Sequence, residues 1–184
     1  MIAVHPETSG SRTDPVVALE WTHALVLRLA SEFQGFCRDL YDDAAVAVAR
    51  ELAESNKRAR AMILAALKVD RSLNRGSADF NNLARDFARF QIKLWDALAN
   101  RHPAAASTWK KSLESLHSAR NGVVHDELDK LRAVESQGWA MEVASVLRWR
   151  NLLDVIVEAM DDLLDAEISK LFGYTRWESE DGND

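Results

Sequence analysis

The chain has 184 residues, a formal net charge of −6, 47% hydrophobic and 28% charged residues, and a single cysteine. Its seven glycines and three prolines fall well below the about 12% that an average chain carries, which excludes a turn-rich β-sandwich, a barrel or a linker-like disordered protein. Cys37 alone rules out an internal disulfide or a multi-cysteine metal site and fits a reducing compartment; the acidity argues against a generic nucleic-acid coat, which is basic overall.

Residues 1–14 include His5, Pro6, Ser9, Gly10 and Ser11 but no apolar core, so they read as a flexible lead-in and not as a signal peptide. The longest apolar runs are a few residues, far short of the about 20 that cross a bilayer. A soluble, cytoplasmic chain without membrane association is expected.

Asp14-Pro15 predicts a helix start, with Asp capping free N–H groups and Pro at the first helical position. Val17, Trp21, Leu25, Leu29, Phe33, Phe36, Leu40, Ala44 and Ala47 then recur at three- and four-residue spacing, an amphipathic helix of about thirty residues with Gly35 as the place where it would bend. Ala59, Met62, Ile63, Ala66 and Leu67 extend the pattern, either in the same rod or after a break near Ser55-Asn56. Residues 71–79, with Asn74, Gly76 and Ser77, read as a loop.

Phe80, Leu83, Phe87, Phe90, Leu94 and Leu98 form an apolar stripe without a breaker, predicting one helix that residues 100–103 end. Pro103 opens the next at Ala104, which carries Trp109, Leu113 and Leu116 towards Asn121-Gly122. A polar stretch reaches Gln137-Gly138. The stripe Trp139, Val143, Val146, Leu153, Val157, Met160, Leu164 and Leu171 then predicts the longest helix, from Trp139 to about Leu171. Residues 173–184 read as an acidic, mobile tail. The expected fold is all-α, an up-and-down, mostly antiparallel bundle of about five helices forming one domain over residues 15–172. Trp21, Trp109, Trp139 and Trp149 lie at or near stripe positions and are expected in the core, with Trp177 the exception.

One charged residue is out of place. At about 100° per residue, with Arg120 at zero, Trp109 falls near about −20°, Leu113 near about +20°, Leu116 near about −40° and Val124 near about +40°. Arg120 therefore sits inside an apolar stripe. Beside it lies a polar wedge of His117, Glu114, Asn121 and His125, in which Asn121 and His125 are spaced to touch. An arginine at such a place either snorkels, with its head in water, or faces an anion or a partner's surface, because an enclosed, unpaired guanidinium is costly.

The stretch Ser118-Ala119-Arg120-Asn121-Gly122-Val123-Val124-His125 resembles the R-N-x-x-x-H signature of the HEPN superfamily. There an arginine, usually followed by a polar residue, is separated from a histidine by about four to six positions, and here by Asn121, Gly122, Val123 and Val124. The setting agrees: a helical chain of suitable size, with the motif closing the penultimate long helix. The resemblance implies a metal-independent endoribonuclease, and the chemistry of the residues fits. RNA carries its own nucleophile, the 2′-hydroxyl, so the protein must supply only a proton carrier near neutral pH and a cation for the phosphorane. Histidine suits the first task and arginine's charged fork the second.

On this reading His125 is the general acid/base and Arg120 the phosphate and transition-state stabiliser. Asn121 orients His125 or bonds a phosphate oxygen. The products implied are a 2′,3′-cyclic phosphate and a 5′-hydroxyl. His117 and Glu114 are supporting candidates, or simply part of a solvated polar face. The resemblance also implies a homodimer in which two motifs line one cleft, as a twofold interface brings about, and a toxin–antitoxin or antiviral defence setting with an antitoxin or defence partner protein. The alternative is a non-catalytic HEPN-like bundle that binds nucleotide or a protein partner; a third reading is a helical interaction domain with a chance motif. Gly122 departs from the pattern, since glycine weakens the helix that presents His125.

No cofactor and no metal are expected. His5, His23 and His102 lack partners at ligand spacing, and Asp126, Glu127 and Asp129 lack a second histidine near His125. For RNA contacts, residues 50–75 carry seven bases against three acids, including Arg71 and Arg75. Arg85, Arg89 and Lys93 form a basic ridge at four-residue spacing. Residues 154–184 hold ten acids against two bases, so the net charge hides a basic segment beside an acidic one.

Overall fold

A computed structural model of the chain describes residues 14–172; the lead-in before Asp14 and the acidic tail from residue 173 lie outside the described residues. Helix α1, Pro15–Leu52, starts where the sequence puts it. The Asp14 carboxylate accepts from the Val16 N–H at 2.9 Å, and Pro15 takes the first turn. At 38 residues it is the longest helix described, and it runs uninterrupted through Gly35. Asn56 caps α2, Lys57–Lys68, by accepting from the Ala59 N–H, so the break falls at Ser55-Asn56. The Tyr41 hydroxyl donates to the Leu67 carbonyl at 2.7 Å and fastens α2 antiparallel along α1.

The remaining helices are α3 Ser72–Arg75, α4 Phe80–Phe87, α5 Leu94–Arg101, α6 Ala106–Val124, α7 Leu128–Ser136 and α8 Val143–Phe172, with a 3-10 turn at Ala88–Phe90 between α4 and α5. The described residues therefore hold eight α-helices instead of about five, and the reasons are local. The loop at 71–79 contains α3 because the buried Asp86 carboxylate accepts from the Ser72 and Leu73 N–H groups, 2.8 Å each. The stripe from Phe80 to Leu98 breaks at Gln91, whose φ of 62° ends the 3-10 turn in the left-handed region. The polar stretch before Gly138 folds as α7. Two further starts move: α6 begins at Ala106 after a turn in which the His102 carbonyl accepts from Ala105 and Ala106, and α8 begins at Val143, after Gly138 at φ 87°.

Three long helices carry the architecture. Residues 15–22 of α1 lie beside Met141–Val143, and residues 36–43 beside Val157–Asp161, so α1 and α8 run parallel. Arg101, just before α6, reaches Asp162 and Glu167, whereas Ser115 on α6 meets Trp149. Thus α6 runs antiparallel to α8, and its C-terminal end lies with the N-terminal ends of α1 and α8. One cluster of buried side chains joins all three, including Phe33, Tyr41, Phe87, Leu116, Trp149 and Ile156; each such side chain contributes about 1.5–3 kcal/mol by leaving water. Trp149 is fully buried, stacks on Trp139 at 4.7 Å, and donates its indole N–H to Ser115 Oγ at 2.9 Å.

Trp109 and Trp149 are buried, but Trp21 is 65% exposed. It belongs to the first turns of α1, where Val16, Val17 and Leu19 are exposed with it because no helix covers their outer side. No helix of the described residues is long and apolar enough to cross a membrane.

Candidate active site

The C-terminal half of α6 brings Arg120, Asn121 and His117 against the loop between α3 and α4. Arg120 is half-buried and lines a pocket of about 40 Å³ with Phe33, Gln34, Ser77, Leu113 and His117, room for a water molecule or two. Its guanidinium donates from Nη1 to Asn121 Oδ1 at 2.8 Å. Asn121 Nδ2 lies 2.8 Å from His117 Nε2, and His117 Nδ1 lies 3.0 Å from Ser77 Oγ. Ser77 Oγ reaches Asp79 Oδ2 at 3.5 Å.

Donor counting fixes the direction of this chain. Arg120 is donor-only, so Asn121 turns its carbonyl oxygen to it and its NH₂ to His117. Nε2 must then accept, which puts the imidazole proton on Nδ1, where it donates to Ser77. His117 is therefore neutral with a defined tautomer. Burial is the main reason that its pKa lies below the usual imidazole value; Asp79 pulls it up, while Arg120 and Lys130 add to the lowering. The contribution of neutral His117 to stability is therefore full above about pH 6.5 and is lost as pH falls through its lower folded value.

Among the described residues no carboxylate forms an ion pair with Arg120. Arg71 makes the contrast. It is 6% exposed, pairs with Asp42 at 2.6 Å, bonds Asn74 and lies over the Tyr41 ring. Its charge is used by the fold, not free for RNA. Arg89 likewise donates to the Leu67, Val69 and Asp70 carbonyls, closing the end of α2, and Arg75 pairs with Asp70. Arg85 is exposed and reaches Ser72 Oγ at 3.4 Å, and Lys93 is exposed. The ridge expected at Arg85, Arg89 and Lys93 does not exist as one helical face, because α4 ends at Phe87 and the chain turns at Gln91.

His125 lies elsewhere. It caps the C-terminus of α6, exposed, and the chain reverses at once through Asp126 at φ 52°, with the Glu127 N–H bonding the Gly122 carbonyl at 2.9 Å. Asn121 thus orients Arg120 and His117, not His125 as the spacing suggested. Glu114 is exposed, faces Lys110 at 3.9 Å and stays outside the network. Together with His117, both line a wider cleft of about 310 Å³ on the far side of the imidazole, floored by Phe80.

Gly122 does not break α6. It is buried where α7 crosses, and a Cβ there would stand 2.6 Å from Leu131 Cδ2. Gly122→Val is therefore expected to cost about 1–3 kcal/mol by pushing α7 away, read as a lower denaturant midpoint; an unchanged midpoint would show that α7 yields freely. Ser77 and Asp79 are the site residues that sequence reading missed. The only signal was an Asp just ahead of an apolar run, and Asp79 does cap α4 through the Asn82 N–H at 2.8 Å.

Among the described residues, no group of three His, Cys, Asp or Glu is placed to hold a metal ion. The fold and site thus define an all-α bundle with a half-buried arginine steered by an Asn–His–Ser relay. Comparisons with protein-family models, with curated proteins and with solved structures find no match for this chain.

Proposed function

We propose that the chain is a HEPN-like, metal-independent endoribonuclease that works as a homodimer, cleaving RNA by attack of the 2′-hydroxyl on the adjacent phosphate. The observation that carries this reading is Arg120: a permanent cation, half withdrawn from water, aimed by Asn121 and without a carboxylate among the described residues. A half-buried cation with no carboxylate partner can take an anionic ligand, and a preorganised guanidinium suits the charge that develops on a phosphorane. His125, solvent-exposed beyond the helix end, supplies the proton carrier.

The two groups are separated on one chain by about 140° around α6 and about 7.5 Å along it, so a single copy does not converge them. The end of the bundle that holds them also exposes Val17, Trp21, Val124, Leu128, Val143 and Leu147. An isologous contact over this end would bury that apolar surface, and the composite site requires the arrangement in which the partner subunit's His125 meets Arg120. The toxin–antitoxin or antiviral setting rests on the resemblance of the motif alone.

The test is cleavage of varied RNAs in EDTA, with end-group analysis for a 2′,3′-cyclic phosphate and a 5′-hydroxyl. Arg120→Ala and His125→Ala are then mixed after unfolding and refolding together. Activity recovered from two inactive parents, up to about a quarter of wild type because about half of the dimers are mixed at random pairing and each regains one of its two sites, supports the composite site. A folded dimer that cuts no RNA removes the enzyme reading in favour of a nucleotide- or protein-binding bundle.

A further inference from the structure

We propose that His117 is a positioning residue for Arg120: the neutral imidazole, acting through Asn121, holds the guanidinium at the pocket, and uptake of a proton on Nε2 releases it. The motif reading gives His117 no such task, since it places the histidine that matters after the arginine. The effect on cleavage rests on the endoribonuclease reading; the effect on the arginine does not.

Donors and acceptors decide the matter. The Asn121 amide has one carbonyl and one NH₂, and its neighbours make opposite demands. Arg120 Nη1 needs an acceptor at 2.8 Å, and His117 Nε2 needs a donor at 2.8 Å. Both are met only while Nε2 is bare. A proton on Nε2 sets N–H against N–H. The amide can answer by turning over, but its NH₂ then faces the guanidinium, which has no acceptor to offer. Either way one bond of the relay is lost, and a second positive charge appears a single side chain away from Arg120.

The other end of the imidazole is anchored and cannot absorb the change. Nδ1 donates to Ser77 Oγ, and Ser77 is held in turn: its carbonyl accepts from Asn82 Nδ2 at 2.9 Å, and the preceding Gly76 carbonyl accepts from Gln34 Nε2 of α1 at 2.7 Å. The charged groups around the ring are Asp79 at the start of α4, Arg120 on α6 and Lys130 on α7, with Lys110 and Glu114 of α6 along the open cleft; α1 contributes only uncharged Ser31 and Gln34. Burial, helped by Arg120 and Lys130, outweighs the Asp79 carboxylate, so the ring stays neutral at physiological pH and the arginine stays aimed.

Two measurements test this. In the wild-type protein without RNA, imidazole ¹⁵N shifts are expected to show the Nδ1–H tautomer at neutral pH, and the Arg120 side-chain N–H signals to shift and exchange faster along the same titration curve as His117. An Nε2–H tautomer, or Arg120 signals indifferent to that titration, overturns the proposal whether or not the protein cuts RNA. For cleavage, His117→Gln keeps an acceptor for Asn121 and a donor for Ser77 but does not titrate. It is expected to retain near-wild-type kcat/KM at neutral pH while the acid limb loses one tenfold-per-pH-unit step; His117→Ala is expected to lose activity at all pH values. Equal pH profiles for wild type and His117→Gln reject the role. Wild-type protein that shows the coupled titration but cuts no RNA leaves the positioning intact and removes only the endoribonuclease reading.

Discussion

Arg120→Ala is expected to lower kcat/KM for RNA cleavage by about 10²–10³-fold, the usual cost of removing one preorganised group that stabilises developing charge. The fold is expected to survive, because the guanidinium makes no ion pair among the described residues and its hydrogen bond goes to the adjacent Asn121. Arg120→Lys is expected to recover little, since an ammonium is a point charge and does not span two phosphate oxygens as a fork does. Steady-state kinetics on a defined oligoribonucleotide, beside a thermal melt of each variant, separate the two quantities. Unchanged kinetics in a well-folded Arg120→Ala protein would sink the assignment.

The second large effect lies away from the motif. Asp86 is fully buried, and its two carboxylate oxygens accept from Ser72 and Leu73. Asp86→Ala strips both N–H groups of their acceptor, at about 1–3 kcal/mol for each unsatisfied donor, so a loss of about 2–6 kcal/mol is expected. At about 2–4 °C per kcal/mol for a chain of this size, the melting shift is easily read. Asp86→Asn keeps one acceptor and is expected to fall between. Because α3 leads directly into Ser77, the alanine variant is also expected to weaken the relay to His117. A melting temperature equal to that of the wild type would mean that α3 holds without its cap.

What was legible in the sequence was local. Asp14-Pro15 marked the start of α1 because cap and helix are neighbours, whereas the sequence left open whether α1 ran on or broke near Ser55-Asn56, and the Asn56 cap of α2 decides for the break. Asp86 gave no such mark, since it caps a helix thirteen and fourteen residues before it. Trp21 looked like core because periodicity says which face is apolar and not how far the covering helices reach. The polar wedge of His117, Glu114, Asn121 and His125 beside Arg120 was visible from spacing. Spacing left a tie, however: His117 and His125 are each four residues from Asn121. The structure breaks the tie, because α6 ends at Val124 and takes His125 off the helical face, while His117 remains on it and meets Ser77 from forty residues away.

Asn121-Gly122 is the one Asn-Gly pair in the chain, and such pairs age chemically. The glycine nitrogen attacks the side-chain amide carbon, ammonia leaves, and water hydrolyses the resulting cyclic imide to a carboxylate. Ring closure needs a backbone bend that an α-helix forbids, and this pair lies inside α6, with the amide held from both sides and Leu131 packed on Gly122. Folding therefore acts as a preservative: long storage of native protein is expected to leave residue 121 unchanged by peptide mass, whereas chain kept unfolded in urea gains the acid. Equal conversion in both would show the helix open there. An acid at that position would neutralise the very cation on which the site depends, so a chain that has spent time unfolded would carry that history back as lost activity.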